Sequence, residues 1–432
     1  MRVFFHTFGC KANQYDTERM RQEAVARGAE AVSSISEADV CVVNTCTVTN
    51  QADADARRYI RRAVREHPDL RVVVAGCSSA LRAPAYRAMN GVAGVVEGHD
   101  PVTVAGALAG PRPVSLELRA PLDRIDTEPI GGELLRVRAG GSRGWLKVQD
   151  GCDRKCSFCA TRLARGVSRS RSPEEILAEA RLLAIHHAEL VVTGIHIGHY
   201  GRDLSPTWSL ARLVRLLLES VQDTRIRLGS IEATEVDDDL LELLATSGER
   251  LAPHLHMPLQ SGADPVLQRM RRWHTREQYR RRALEIAERV APLGLGADII
   301  TGFPGETEDD HADTRRLVEE LPFTYLHVFP FSPRQGTAAA ELAGTVPQRV
   351  AGERSRDLRE VAQAKGAAHR RARAGGRATV VVEGRGGMAL TGDYLRVELR
   401  DPGPRPRGLL EGTLQGGGDH LYIALPPPTP SY

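Results

Sequence analysis

Residues 150–166 read DGCDRKCSFCATRLARG, and the rest of the chain is understood outward from them. Three cysteines, Cys152, Cys156 and Cys159, fall there with the spacing C-x3-C-x2-C, among basic residues. The chain has 432 residues and seven cysteines. A chain that long does not need disulfide staples, and thiols kept reduced more often serve metals or catalysis. Six of the seven sort into two triads: the one just quoted, and Cys10, Cys46 and Cys77. Cys41 lies inside an apolar run and reads as a small buried hydrophobe. Structural zinc commonly takes four protein ligands, and no nearby fourth Cys or paired His completes this group. A cubane iron–sulfur cluster held by three thiolates keeps one iron open to a substrate; four-Cys ligation is the commoner closed arrangement. The spacing favours a cluster over zinc and leaves zinc as the alternative.

Composition narrows the setting. Hydrophobic residues make up 41% of the chain, enough for ordinary buried cores, and the formal net charge is only +3. That excludes a uniformly basic nucleic-acid binder but allows local basic patches. The opening MRVFFHTFGCK has no sustained apolar segment of the secretory kind. No run approaches the ~18 consecutive apolar residues of a membrane span. A cytoplasmic location with no membrane partner is expected.

Upstream of the quoted stretch, strand and helix signals alternate. VFFH (3–6), DVCVVN (39–44) and RVVVAG (71–76) read as strands, the last two like strands buried on both faces of a parallel sheet. DTERMRQEAVARG (16–28) reads as a helix with Asp16 as its N-cap and Gly28 as its stop. A second helix, QADADARRYIRRAVREH, carries five arginines between positions 57 and 65. The alternation predicts an open, mostly parallel α/β sheet over residues 1–110. Cys10, Cys46 and Cys77 each follow a predicted strand. Parallel strands end on one edge, so three thiols distant in sequence are expected to converge there.

Residues 111–137, rich in proline and then glycine, read as a connector. A second βα series fills 138–350, with candidate strands at 145–149, 189–195, 225–232, 254–258, 296–300 and 326–330. Its clearest helix start is SPEEILAEARLLAIHH, with Ser172 as N-cap, Pro173 at the first helical position and Glu175 completing a capping box. Six such steps predict a partial (βα)6 barrel, whose chemistry would sit at the C-terminal ends of the strands. Residues 351–377 read as a basic helix or linker, and 378–432 as a small all-β barrel.

C-x3-C-x-aromatic-C, with Phe158 before Cys159 and a predicted first barrel strand before it, resembles the radical S-adenosylmethionine superfamily. FGCKANQYDTE, NTCTVTNQAD, AGCSSA, SIEATE, HLHMPLQSG, ADIITGFPGETEDD and HVFPFSPRQGTAA together resemble its methylthiotransferases over residues 1 to about 345, and the terminal β module is similar to their TRAM domain. NTCTVTN, DGCDRKCSFC, ARGVSRSR and GIHIGHYGRDL look most like the branch that acts on N6-threonylcarbamoyladenosine in tRNA. The resemblance implies two [4Fe-4S] clusters. One, on Cys152, Cys156 and Cys159, binds S-adenosyl-L-methionine and cleaves it reductively to a 5′-deoxyadenosyl radical; the other is on Cys10, Cys46 and Cys77. It implies insertion of sulfur and a methyl group at C2 of the modified adenosine at position 37. The partners implied are the tRNA anticodon loop, an external electron donor such as a flavodoxin-type reductant, and a sulfur donor; the chain is expected to be a monomer. Two same-family alternatives modify isopentenyladenosine in tRNA or a ribosomal-protein aspartate. An alternative of another class is a non-catalytic, metal-stabilised RNA-binding protein.

Further contacts follow from position and resemblance. Phe158, Thr193 and Gly194 are expected near the cofactor, with Glu232 at the next strand end either meeting its ribose or capping a helix. His254 and His256 alternate on one strand face and read as satisfied interior residues before participants. TGFPGET (301–307), with Gly302 and Gly305, lacks the Lys-Ser/Thr of a phosphate loop and reads as backbone approaching the adenosyl group, or as a tight turn. Arg162, Arg165, Arg169 and Arg171 are expected to meet RNA phosphates, because they lie beside the second triad.

Overall fold

The computed structural model describes residues 1–108, 134–138, 141–383, 387–400, 408–417 and 420–425. Most of the expected connector at 111–137 lies outside the described residues. Two compact units are distinguished: Met1–Leu135 with Lys147–Arg171 and Ser332–Ala340, and Arg136–Leu146 with Ser172–Phe331 and Glu341–Tyr432. The segment carrying the second triad therefore packs with the same unit as the first.

The first unit is built on a five-stranded parallel sheet in the order β2-β1-β3-β4-β5, from β1 (Arg2–Thr7), β2 (Glu30–Ala31), β3 (Val40–Thr45), β4 (Arg71–Gly76) and β5 (Val92–Val95). The central β3 is buried at every position, as its β-branched run predicts. One face packs Val3, Phe5, Val40, Val42 and Val73 against Met20 and Ala24. The other packs Cys41, Val43, Val72 and Val74 against Ile60 and Tyr86. The helix expected from residue 16 instead runs Lys11–Ala26 (α1), with Cys10 in the N-cap position. Gly9, at φ +105°, turns the chain from β1 straight into α1, and an added Cβ there would stand 2.7 Å from the Cβ of Cys46. Asp16 is consequently not a cap. It lies inside α1, buried, and is bonded by Lys147 and Arg165.

Residues 149–170 form a loop closed at its neck by β7 (Gln149–Asp150) against β8 (Arg169–Ser170), antiparallel. Within the neck, Gln149 Nε2 donates to the carbonyls of Asp150 and Gly151 and to Ser168 Oγ at 2.7–2.9 Å. Gly151 has φ +68°, and a Cβ would fall 1.7 Å from the carbonyl oxygen of Val167. Only glycine fits between these two strands.

The second unit contains the partial barrel. β6 (Arg143–Lys147), β9 (Glu189–Thr193) and β10 (Arg225–Leu228) form one sheet, with β9 and β10 parallel, and β11 (His254–His256), β12 (Gly294–Thr301) and β13 (Tyr325–Pro330) form a parallel one. Parallel bridges Ile226–Leu251 and Ser230–His256 join them. Ser172 accepts the amide of Glu175 at 3.2 Å and Pro173 opens the following helix, as the sequence predicts, but the Glu175 side chain does not bond back to close the expected capping box. A 26-residue helix, Gln348–Arg373, occupies most of the expected basic segment. It leads into a closed five-stranded barrel, β14 (Arg377–Glu383), β15 (Met388–Thr391), β16 (Arg396–Arg400), β17 (Leu410–Gly417) and β18 (His420–Ala424), in the order β14-β15-β16-β18-β17.

The junction of the two barrels is polar. Arg225 and Arg227 are fully buried, and both bond Glu189 at 2.6–2.9 Å. Their remaining donors reach the carbonyls of Thr379, Leu390, Thr391 and Gly392. Tyr394, at φ +69°, stacks on His254 with ring centroids 4.2 Å apart. The small module is thereby fixed to the barrel by guanidinium–carbonyl bonds, each satisfied at both ends.

Candidate active site

The strand ends of the first unit bring the first triad together. Cys10 precedes α1, Cys46 follows β3, and Cys77 is the first residue of the helix Cys77–Arg87. Cys46 and Cys77 sense the others of the set: Cys10 and Cys46 both act on Cys77, and Cys10 acts on Cys46. Cys46 and Cys77 are buried, while Cys10 is exposed. Gly76, at φ +100°, is required for the turn into Cys77, because a Cβ would lie 2.2 Å from Asn44 Oδ1. Asn44 and Asn13 knit the strand ends: Asn44 Nδ2 donates to the carbonyl of Asn13, and Asn13 Nδ2 donates to the carbonyls of Phe8 and Thr45, at 2.8–2.9 Å.

Beneath these thiols lies a buried ionic network. Arg165 is 0% exposed. Its Nε donates to Cys77 Sγ at 3.1 Å, and its other nitrogens donate to Asn13 Oδ1 (2.6 Å), Asp16 (2.7 Å) and Asp150 (3.0 Å). Lys147 bonds the same two carboxylates at 2.8 and 2.5 Å. Burial alone would push both carboxyls up, yet Lys147 and Arg165 hold them below the usual carboxylate range. Burial likewise opposes the charge on Arg165, and Asp150, Cys77 and Asp16 keep it protonated. Arg334 donates to Thr47 Oγ1 and Asn50 Oδ1, and its charge also reaches Cys46.

The second triad is half-buried in the β7–β8 loop. The amide of Cys152 bonds the carbonyl of Gly166 and that of Cys159 the carbonyl of Cys156, at 3.1 and 3.2 Å. Burial pushes Cys152 up to about 12, and Cys159 and Cys156 both act on it in the same direction. Cys77 is likewise pushed up to about 12, burial being the cause.

The donor set fits two thiolate-ligated clusters. Buried thiols this weakly acidic stay neutral without a cation, and a coordinating metal is what deprotonates them. N–H groups already point at four of the sulfurs: Arg165 Nε at Cys77, the Val48 amide at Cys46 (3.4 Å), the Thr161 amide at Cys159 (3.4 Å) and the Arg154 amide at Cys152. Cys10 and Cys77 also stand at helix N-termini, where the backbone dipole favours negative charge. Cys41 is apart, buried in β3.

Other expected contacts fare differently. Phe158 is half-buried, two residues after Cys156. Thr193 is buried at the end of β9 with Gly194 next to it, and Glu232 is buried on the loop after β10. Glu232 makes no cap bond; it pairs with Arg272, and burial raises its pKa. The Gly302 amide is taken by Glu306 and the Gly305 amide by Gly344. Both glycines have positive φ, and a Cβ on Gly302 would meet Ala351 at 2.4 Å, so the turn reading accounts for them. His254 and His256 are buried and share the hydroxyl of Tyr325, and His256 also pairs with Asp298.

The arginine run needs correction. Arg165 and Arg171 are 0% and 2% exposed. Arg171 donates to the carbonyl of Lys147 and to Tyr15, so neither guanidinium can lie on a phosphate. Arg162 and Arg169 remain half-exposed. Sequence reasoning missed Asn13, Lys147, Asp150 and the inward role of Arg165. Among the described residues, His196, His199 and Glu235 form a further compact group, with His196 2.9 Å and His199 3.2 Å from the Glu235 carboxylate. Among the described residues no helix is long and apolar enough to cross a membrane.

Two family profiles match: the uncharacterized protein family UPF0004 over residues 2–97 and the radical SAM superfamily over 146–318. The chain is 39% identical over 358 residues to the threonylcarbamoyladenosine tRNA methylthiotransferase MtaB of Bacillus subtilis, covering 82% of this chain and 78% of that one. It is 31% identical to the protein of that name in Treponema pallidum, covering 98% of both. The tRNA-2-methylthio-N(6)-dimethylallyladenosine synthase of B. subtilis is 32% identical, covering 83% of this chain and 71% of that one. In fold, the chain is similar to the radical S-adenosylmethionine methyltransferase TsrM of Kitasatospora setae, solved with cobalamin and a [4Fe-4S] cluster, at TM-score 0.58 and 14% identity over 83% and 84% of the two chains. With two thiol triads in one unit, a partial (βα)6 barrel and relatives matched over most of their length, the chain belongs to the radical S-adenosylmethionine methylthiotransferase family of tRNA-modifying enzymes.

Proposed function

We propose that the enzyme adds a methylthio group at C2 of N6-threonylcarbamoyladenosine at position 37 of tRNA. The observation that carries this substrate is the 39% identity to an enzyme named for it, against 32% to the dimethylallyladenosine synthase of the same organism. A C–H carbon of an adenine ring is unactivated, so the hard chemistry belongs to cofactors. The two clusters and S-adenosyl-L-methionine, when bound, supply one-electron cleavage, sulfur and the methyl group. The chain's own residues bind, orient and exclude water.

Cys152, Cys156 and Cys159 would hold the cluster that meets S-adenosyl-L-methionine, and Cys10, Cys46 and Cys77 the second. Thr193 and Gly194 are suited to receive the methionine part of the cofactor, with Glu232, steered by Arg272, toward its polar groups. Arg162 and Arg169 supply phosphate contacts, which position RNA without reading its sequence. The β module adds Arg400, stacked 3.5 Å over Tyr422, a pairing suited to an RNA surface. An external electron donor and a sulfur source act from the cytoplasm on a monomeric enzyme.

The test is anaerobic reconstitution followed by mass spectrometry of the nucleosides of treated tRNA. The 2-methylthio derivative of threonylcarbamoyladenosine is expected. Methylthiolated isopentenyladenosine, or a modified ribosomal-protein aspartate with unmodified tRNA, would overturn the substrate. A colourless protein without iron would overturn the reaction class. Replacing Cys152, Cys156 and Cys159 by Ala should abolish S-adenosyl-L-methionine cleavage. Replacing Cys10, Cys46 and Cys77 should spare cleavage and stop thiolation.

A further inference from the structure

We infer that Arg165 is a positioning residue that sets the reduction potential of the cluster on Cys10, Cys46 and Cys77, although it belongs to the loop of the other triad. The inference rests on the reading that this triad holds a cluster. Arg165 lies six residues after Cys159, on the short helix Thr161–Arg165, yet its Nε is 3.1 Å from Cys77 Sγ. It is fully buried, so this bond does not compete with water. A donor on a ligand sulfur draws off negative charge and favours the more negative, reduced form of a cluster, which raises its potential.

The surroundings make the sign testable. Arg165 and Lys147 offset Asp16 and Asp150 one for one, and the four groups are bonded to one another at 2.5–3.1 Å. Removing the guanidinium leaves two carboxylates, one ammonium and the His99 ring, which bonds Asp150 at 3.0 Å; a positive charge next to Cys77 is lost, which disfavours adding an electron. Removing the Asp16 charge leaves an excess cation, which favours it. A lysine at 165 keeps the charge, but its single ammonium cannot span Cys77, Asn13, Asp16 and Asp150 as the planar fork does. A residue that merely fills space predicts no ordered set of opposite shifts.

The experiment uses the full-length chain with Cys152, Cys156 and Cys159 replaced by Ala, so that iron reports on the first triad alone. Arg165→Gln, Arg165→Lys and Asp16→Asn are each reconstituted anaerobically, and the midpoint potential is read by electron paramagnetic resonance titration. The potential should fall in Arg165→Gln, fall less in Arg165→Lys and rise in Asp16→Asn. If Arg165→Gln does not hold iron, the Lys and Asn variants decide by the same signs. An iron-loaded Arg165→Gln or Arg165→Lys protein at the parental potential, or Asp16→Asn at or below it, overturns the inference. Failure of the parental three-Ala chain to take up any iron instead overturns the cluster reading itself.

Discussion

Two regions of this protein bury arginines next to carboxylates, and they do so for different ends. In the first unit, Arg165 and Lys147 meet Asp16 and Asp150, and the charges balance beside a thiol. In the second, Arg225 and Arg227 share the buried carboxylate of Glu189 and spend their other donors on main-chain carbonyls of the β module. Burial lowers the pKa of Arg225, whereas the carboxylates and Cys77 keep that of Arg165 high. What a buried guanidinium does is therefore set by what its fork reaches. Carbonyls make it a clamp, and a thiol makes it an electrostatic neighbour of a reactive centre.

The largest effect should come from breaking the backbone that holds the first network in place. Gly151→Ala drives a Cβ into the Val167 carbonyl at 1.7 Å, between Asp150 and Cys152. It should cost more than about 3 kcal/mol and remove iron from the second triad, as measured by denaturation and iron content. Glu189→Ala leaves two buried guanidinia sharing no carboxylate, a loss of about 3–5 kcal/mol. Denaturant unfolding would show it, and iron binding to Cys10, Cys46 and Cys77 should be unaffected; a stable variant would show the clamp to be the carbonyl bonds alone.

Acid offers a third probe. Glu189 is held at about 2 against an ordinary 4.5, because Arg227 and Arg225 outweigh the burial that would raise it. Its folded value is depressed, so its contribution is complete above the unfolded value and is lost as pH falls from 4.5 toward 2. About 3 kcal/mol should disappear across that window, and Glu189→Gln should flatten the profile. The smallest effect concerns the two half-exposed arginines of the run. Arg162→Gln and Arg169→Gln should each weaken tRNA binding several-fold and reduce the salt slope by about one, with stability within about 0.5 kcal/mol of the parent.

The strands of the parallel sheet were legible because burial on both faces demands continuous β-branched runs, and Arg71–Gly76 matches its run end to end. The short β2 and β5 were not, since two and four residues of weak pattern carry no periodic signal. The start of α1 was misplaced because Asp16 looks like a cap; its side chain serves Lys147 and Arg165 instead. The arginine run after Cys159 looked like a phosphate-facing strip, and half of it points inward.

Local spacing and strand order were enough to pick out both thiol triads and the succession of sheet, barrel and small β module, while the chemistry of the six cysteines came from the resemblance of whole motifs. Those features are carried by covalent neighbours and by the two-residue and 3.6-residue periods, which act over short distances along the chain. Which charges lie beneath Cys77, and which arginines face solvent, depended on residues from positions 13, 16, 147, 150 and 165 meeting in space. Such meetings are set by how elements pack, because the cost of burying an ion falls only when a distant partner arrives.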